Sequence, residues 1–106
     1  MELSGFRVLK AFRAALDGRV KVRRVDGPAG LFSVWELGHG VVTVDIDELR
    51  VCFYIDDGFL DYCEWAEDHA GQRGEFSGWF DSGTEPVAQL SLADQERLRQ
   101  LIESAV

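Results

Sequence analysis

Two cysteines, two histidines and nineteen acidic residues are the side chains with which this chain could perform covalent, metal or acid–base chemistry. Both cysteines, Cys52 and Cys63, fall in residues 49–68 together with Asp56, Asp57, Asp61, Glu64, Glu67 and Asp68. A nucleophilic cysteine acts as its thiolate, which neighbouring Lys, Arg or cationic His stabilise. Asp61 and Glu64 oppose one here, so the leading expectation is two inert thiols packed as small apolar groups, ahead of a disulfide or a redox role. A metal set can be drawn from Cys63, Asp61, Asp68 and His69, or from Asp45, Asp47 and Glu48. Neither follows zinc-finger spacing or the EF-hand order of acids closed by a glutamate at position 12. Ser33, Ser77 and Ser82 lack a nucleophile-elbow context, and Gly38-His39-Gly40 reads as a turn. Asp26-Gly27-Pro28-Ala29-Gly30 lacks the Gly-Lys-Ser/Thr ending of a phosphate loop. A carboxylate pair alone makes no glycosidase. No catalytic, metal-binding or cofactor-binding residue is assigned, and the expectation is a protein that is not an enzyme.

The frame that must hold these residues is small. The chain has 106 residues, 46% of them hydrophobic, with three Trp, two Tyr and seven Phe, which suits one packed domain spanning 1–106. Residues 1–10 carry no apolar signal core, and no apolar run approaches the ~20 residues of a membrane span, so a soluble cytoplasmic protein is expected. The formal charge of −8 is unevenly distributed. Residues 1–24 hold seven basic residues against Glu2 and Asp17, a net of +5; the rest hold four basic against 17 acidic, a net of −13. Direct nucleic-acid binding wants clustered Lys and Arg and is disfavoured.

Local patterns predict the elements. Ser4 caps a helix over 4–17 whose Phe6, Leu9, Phe12 and Leu16 recur at helical spacing, with Gly18 just past its end. Residues 20–25 alternate as a half-buried strand. A turn at 26–30 leads to a strand at 31–37, a turn at 38–40, a strand at 41–46 with Val42, Val44 and Ile46 on one face, and a strand at 49–55. Residues 67–74 read as a loop and 75–80 as a short last strand with Gly78 as a bulge. Thr84 is expected to cap a single turn over 86–90. Ser91 caps a C-terminal helix with Asp94 in its first turn and Leu98, Leu101, Ile102 and Ala105 as its buried stripe. The expected fold is α+β: an N-terminal helix, an antiparallel meander of five to six strands, and a C-terminal helix, the helices packed on one sheet face.

A two-residue type I′ turn at Asp57-Gly58 would pair Asp56 with Phe59, Tyr54 with Asp61, and Cys52 with Cys63. Val51, Phe53, Ile55, Leu60 and Tyr62 then face the core. Arg50, Cys52, Tyr54, Phe59, Asp61, Cys63 and Trp65 take the other side. A slip of one residue would exchange the two faces.

Several strings occur in order: Arg23-Arg24-Val25-Asp26-Gly27-Pro28, Val44-Asp45-Ile46-Asp47, Tyr54-Ile55-Asp56-Asp57, Leu60-Asp61-Tyr62-Cys63, and Gly83-Thr84-Glu85-Pro86-Val87 leading to Leu90-Ser91. In these the chain resembles a family of short bacterial proteins of unknown function, over roughly residues 20–106. The resemblance implies a stand-alone bacterial domain and brings no reaction, ligand or catalytic residue.

From Asp45 to Glu85 there are 12 acids against Arg50 and Arg73, a net of −10, interspersed with Phe59, Trp65, Trp79 and Phe80. Aromatic anchors within a polar rim are how protein interfaces are built, and an acidic field speeds encounter with a basic partner. The candidate binding surface is therefore Asp56, Asp57, Phe59 and Asp61, continuing through Glu64, Trp65, Glu67 and Asp68. The expected function is a non-enzymatic protein-binding or inhibitory module for a basic protein. The alternative is a small-ligand or metal-binding domain with a pocket near Trp65, Trp79 and Cys63. Monomer and homodimer are both open.

Overall fold

The computed structural model describes residues 2–25 and 34–106. Its elements are α1 (Gly5–Leu16), β1 (Val22–Arg24), α2 (Val34–Leu37), β2 (His39–Ile46), β3 (Leu49–Asp56), β4 (Phe59–Asp68), β5 (Arg73–Glu75), α3 (Phe76–Ser82) and α4 (Leu92–Glu103). The five strands form one antiparallel meander in chain order. The fold is α+β, with the helices packed against the sheet.

Both long helices start where their caps dictate. The Ser4 hydroxyl accepts from the Arg7 amide at 3.1 Å, and Ser91 accepts from Asp94 at 3.1 Å. α1 buries Val8, Ala11, Phe12 and Ala15; α4 buries Leu98 and Ile102. These meet Val42, Val44, Ile46, Val51, Phe53 and Ile55 from one face of the sheet. The Phe12 and Phe53 rings, centroids 5.2 Å apart, join helix to sheet. Leu101, expected in the buried stripe, is 37% exposed.

Four expected elements differ. Residues 34–37 form a helical turn instead of the end of a strand, and 31–33, like the 26–30 turn, lie outside the described residues. The turn closes when Gly38 donates to the Val34 carbonyl at 2.8 Å, with Gly38 at φ 83 and Gly40 at φ 133 reversing the chain into β2. Val34 packs so closely on Gly40 that a Cβ there would stand 2.8 Å from its Cγ2. His39 and Gly40 thus belong to a strand. Residues 76–82 form α3 in place of a last strand, because Phe76 and Phe80 share a face at i,i+4 spacing while Trp79 turns inward. Gly83, at φ 71, ends that helix. The last strand is instead Arg73–Glu75. The loop before it shrinks to residues 69–72, tied by Asp68 Oδ1, which accepts from the Ala70 and Gln72 amides at 3.0 and 2.9 Å.

The largest correction concerns the central hairpin. Asp57 (φ 53) and Gly58 (φ 77) make the expected turn, and Asp56 does face Phe59. Beyond that the register shifts twice. Ile55 faces Leu60 but Tyr54 faces Tyr62, leaving Asp61 extra; Phe53 faces Cys63 but Cys52 faces Trp65, leaving Glu64 extra. Each bulge moves the following side chains to the other face. Tyr62 therefore leaves the core and Cys63 enters it. Cys52 and Cys63 do not face each other; both are buried thiols outside any disulfide.

Candidate functional site

The sheet face away from α1 and α4 is organised in rows by the strand register. At the hairpin tip His39, Asp56 and Phe59 align; next come Val41, Tyr54 and Tyr62. A third row runs Thr43, Cys52, Trp65, Glu75, and a fourth Asp45, Arg50, Glu67, Arg73. The two bulges are what bring Tyr62 and Trp65 onto this face in different rows.

Each row has its own chemistry. The fourth alternates in charge and pairs with itself: Arg50 Nε lies 3.1 Å from Asp45 Oδ1, and Arg73 Nη1 lies 3.3 Å from Glu67 Oε2. The hydrogen bond and charge of Asp45 raise the Arg50 pKa. Arg23 stands opposite Asp45 in the register, but the Asp45 carboxylate is engaged by Arg50. Arg7 of α1 reaches Asp47 at 3.4 Å, so part of the charge asymmetry cancels internally. Arg73 also stacks over the Trp65 ring at 4.4 Å and approaches Glu75 at 3.6 Å.

The second row is aromatic and is extended by α3. Tyr54 and Tyr62 stack at 5.2 Å and 15°, Phe76 lies 4.2 Å from Tyr62, and Phe80 lies 5.5 Å from Phe76. Phe80 is 66% exposed. Burial, then the charge of Glu64, Tyr54 and Asp61, raise the Tyr62 pKa, and a hydrogen bond to Glu64 adds to this. The phenol thus stays protonated beside the two bulge carboxylates. Among the described residues none of Asp56, Asp57, Asp61 and Glu64 forms an ion pair.

The tip continues to the helical side. Phe59, 63% exposed, and Leu60 line an apolar groove of about 240 Å³ with Leu92, Gln95, Glu96 and Arg99 of α4. A polar groove of about 430 Å³ lies at the opposite end of the sheet, between the Asp45–Arg50 pair and Asp68-His69.

The eight residues singled out from the sequence thus fall into separate places. Asp56, Asp57, Phe59 and Asp61 gather at the tip, with Glu64 following beside Tyr62. Trp65 and Glu67 lie under Arg73, and Asp68 orders the 69–72 turn. Trp65 is divided by the sheet from Cys63 and Trp79: Trp65 pairs with Cys52 on the outer side, while Cys63 and Trp79 join the core cluster. The Trp79 indole donates to the Leu3 carbonyl at 3.0 Å. These three residues therefore share no pocket. Cys63 is inside the core, far along the strand from Asp68-His69, and no cluster of three or more His, Cys, Asp or Glu among the described residues could hold a metal.

Glu85 is the residue that sequence reasoning missed. It is 6% exposed, and its carboxylate accepts three backbone amides: Cys63 at 3.0 Å and Val87 at 2.9 Å on Oε2, and Ala88 at 2.9 Å on Oε1. It performs the cap expected of Thr84 and ties the 84–90 segment to the edge of β4 past the end of β5. Its position before Pro86 was the available signal, since an acid there can reach the amides of the following turn. Burial first, then Glu85, push the Cys63 thiol well above its ordinary pKa, so it remains a neutral packing group.

Residues 2–104 match the family described as Domain of unknown function (DUF7693). The chain belongs to this family. Comparison with curated proteins finds no match, and comparison with solved structures finds none. Membership fits the uncharacterised family expected from the sequence strings and assigns no reaction to the rows just described. No helix among the described residues is long and apolar enough to cross a membrane.

Proposed function

We propose that this DUF7693 member is a non-enzymatic protein-binding module that receives a basic protein on the hairpin tip and the aromatic row beside it. One observation carries the reading: among the described residues Asp56, Asp57, Asp61 and Glu64 stand without ion pairs, and Asp61 and Glu64 lie against Tyr62 in the row of Tyr54, Phe76 and Phe80, on the sheet face that the long helices leave open. Aromatic side chains bring large contact area at low entropic cost, and unpaired carboxylates around them supply steering and register. Phe59 and its groove extend the apolar area around the tip. Inhibition follows where the partner's covered patch is its working surface; a protein whose basic patch normally holds nucleic acid is the fitting type, with no nucleic acid bound by this chain directly. Two buried thiols suit a cytoplasmic setting. The inward, protonated thiol of Cys63 and the solvated carboxylates of the tip favour binding over catalysis.

The test takes a basic protein retained by the immobilised chain at low salt, purifies it, and measures the pair by calorimetry. The triple variant Asp56→Lys, Asp57→Lys, Asp61→Lys should weaken binding by about tenfold or more, and added salt should weaken the parent complex. Equal affinity of the variant and the parent would remove the proposal.

A further inference from the structure

We infer that the aromatic row is a seat for an arginine side chain of the partner, a claim that rests on the proposed docking reading and makes it more specific. The chain contains its own templates. Arg73 lies 4.4 Å over Trp65, with Glu67 and Glu75 clasping its guanidinium at 3.3 and 3.6 Å. Arg99 lies 5.9 Å over Trp35, between ion pairs to Glu96 and Glu103. Of the four basic residues after position 24, all arginines, two thus sit on an aromatic ring between two carboxylates.

The row around Tyr62 assembles the same kinds of group, rings beside two carboxylates, with Phe80 as the ring that is open to solvent. Tyr62 has Glu64 and Asp61 against it and is flanked by the rings of Tyr54 and Phe76. Phe80 extends the row into solvent. Among the described residues no arginine or lysine stands over these four rings. The chain's acidic field would draw a cation to the row. The planar, weakly hydrated guanidinium both stacks on a ring and hydrogen-bonds carboxylates beside it, whereas the strongly hydrated ammonium of lysine is a point charge.

Two peptides of equal length and charge, one built on Gly-Ser-Arg repeats and one on Gly-Ser-Lys repeats, separate the terms when titrated into the full chain at low salt. Backbone amides and aromatic carbons are followed by NMR. The arginine peptide should bind about two- to fivefold tighter, with the largest ring shifts at Tyr62, Phe76 and Phe80. Phe80→Ala, at an exposed position, and Tyr62→Leu, with its fold checked by the amide spectrum, should each abolish the preference while both peptides still bind. Equal affinities with shifts confined to Asp56, Asp57 and Asp61 would overturn the arginine seat and leave the acidic docking surface standing. Binding of neither peptide would overturn both. Shifts centred on Asp45, Asp47 and His69 would also overturn the seat, by moving the cation to the polar groove.

Discussion

The two ends of the open sheet face use nearly the same residue types and arrive at opposite states. At the β2–β3 turn end, Asp45, Arg50, Glu67 and Arg73 satisfy one another across four strands, and the arginine of the edge strand covers Trp65. At the hairpin-tip end, Asp56, Asp57, Asp61 and Glu64 have tyrosine and phenylalanine as neighbours and no arginine within the described chain to pair with them. Net charge along the sequence is acidic through both ends. What separates them is whether a basic residue falls in the same cross-strand row. β5 brings Arg73 to the first end and stops two residues later, at Glu75, so among the described residues the second receives none. A local net charge therefore says little about a surface until the register is known.

The two ends are also held differently along the edge of β4, and this gives the largest expected effect. Near the paired end, β5 covers β4 from Trp65 to Glu67. Beyond it, the Cys63 amide is taken by Glu85, which also caps the 86–89 turn. Glu85→Ala would leave three amides without their acceptor in a buried setting. Charge-assisted bonds of this type contribute about 1.5–3 kcal/mol each and are not additive. A loss of about 3–5 kcal/mol in urea unfolding is expected, with Glu85→Gln losing less. Hydrogen exchange should quicken first at Cys63, Val87 and Ala88. A loss under 1 kcal/mol would mean that the tip end needs no such clasp.

Much of this frame was legible in the sequence, for physical reasons that also explain what was not. Ser4 and Ser91 each sit before an apolar stripe of helical period, and Asp57-Gly58 is the residue pair that a type I′ turn requires, so α1, α4 and the hairpin tip followed from local chemistry. The bulges at Asp61 and Glu64 did not. Along Leu60-Asp61-Tyr62-Cys63-Glu64-Trp65-Ala66 a strict alternation buries Tyr62 and exposes Cys63, and only packing against α1 and α4 selects Leu60, Cys63 and Ala66 for the core. The segment Phe76 to Phe80 carries a large apolar group at positions consistent with either period, and Trp79 decides it by finding the Leu3 carbonyl 76 residues away. Glu85 depends on Cys63, 22 residues earlier. Of the eight expected surface residues, the tip group came together because it surrounds one turn. Trp65, Glu67 and Asp68 were separated from it by the pairing partners each one acquired.

Cys63 offers a smaller, pH-dependent view of the same boundary, since the first bulge turns it from the open face to the core. Its folded pKa is raised above the ordinary 9.0, so below that pH both folded and unfolded chains hold the proton and the thiol adds no pH dependence. Above pH 9 the unfolded chain ionises while the folded chain does not, and stability falls as pH rises toward the folded value. The limiting slope for one proton is about 1.4 kcal/mol per pH unit. The stability of the parent minus that of Cys63→Ala, measured by urea unfolding from pH 8 to 10.5, should be flat at first and then decline. A difference that stays flat to pH 10.5 would place the thiol in contact with water and undo the inward assignment.

Arg73→Ala attacks the comparison most directly and costs the least stability. The side chain joins two exposed ion pairs with Glu67 and Glu75 and a stacking contact with Trp65. Exposed pairs contribute about 0–1 kcal/mol each and an exposed cation–π contact about 0.5–1 kcal/mol, so a total loss near 1 kcal/mol is expected. The surface should change far more than the fold. Glu67, Glu75 and the face of Trp65 would become a second uncompensated aromatic–carboxylate site, one row from the first. In the arginine-peptide titration the variant should bind more tightly, and shifts should appear around Trp65 in addition to those around Tyr62. Quenching of Trp65 fluorescence by the peptide is a second readout, measured in a Trp35→Phe, Trp79→Phe background that retains the parent amide spectrum. An unchanged affinity, with no peptide response at Trp65, would mean that a ring flanked by carboxylates is insufficient to receive a guanidinium in this fold, and the distinction between the two ends would then lie in shape instead of charge pairing.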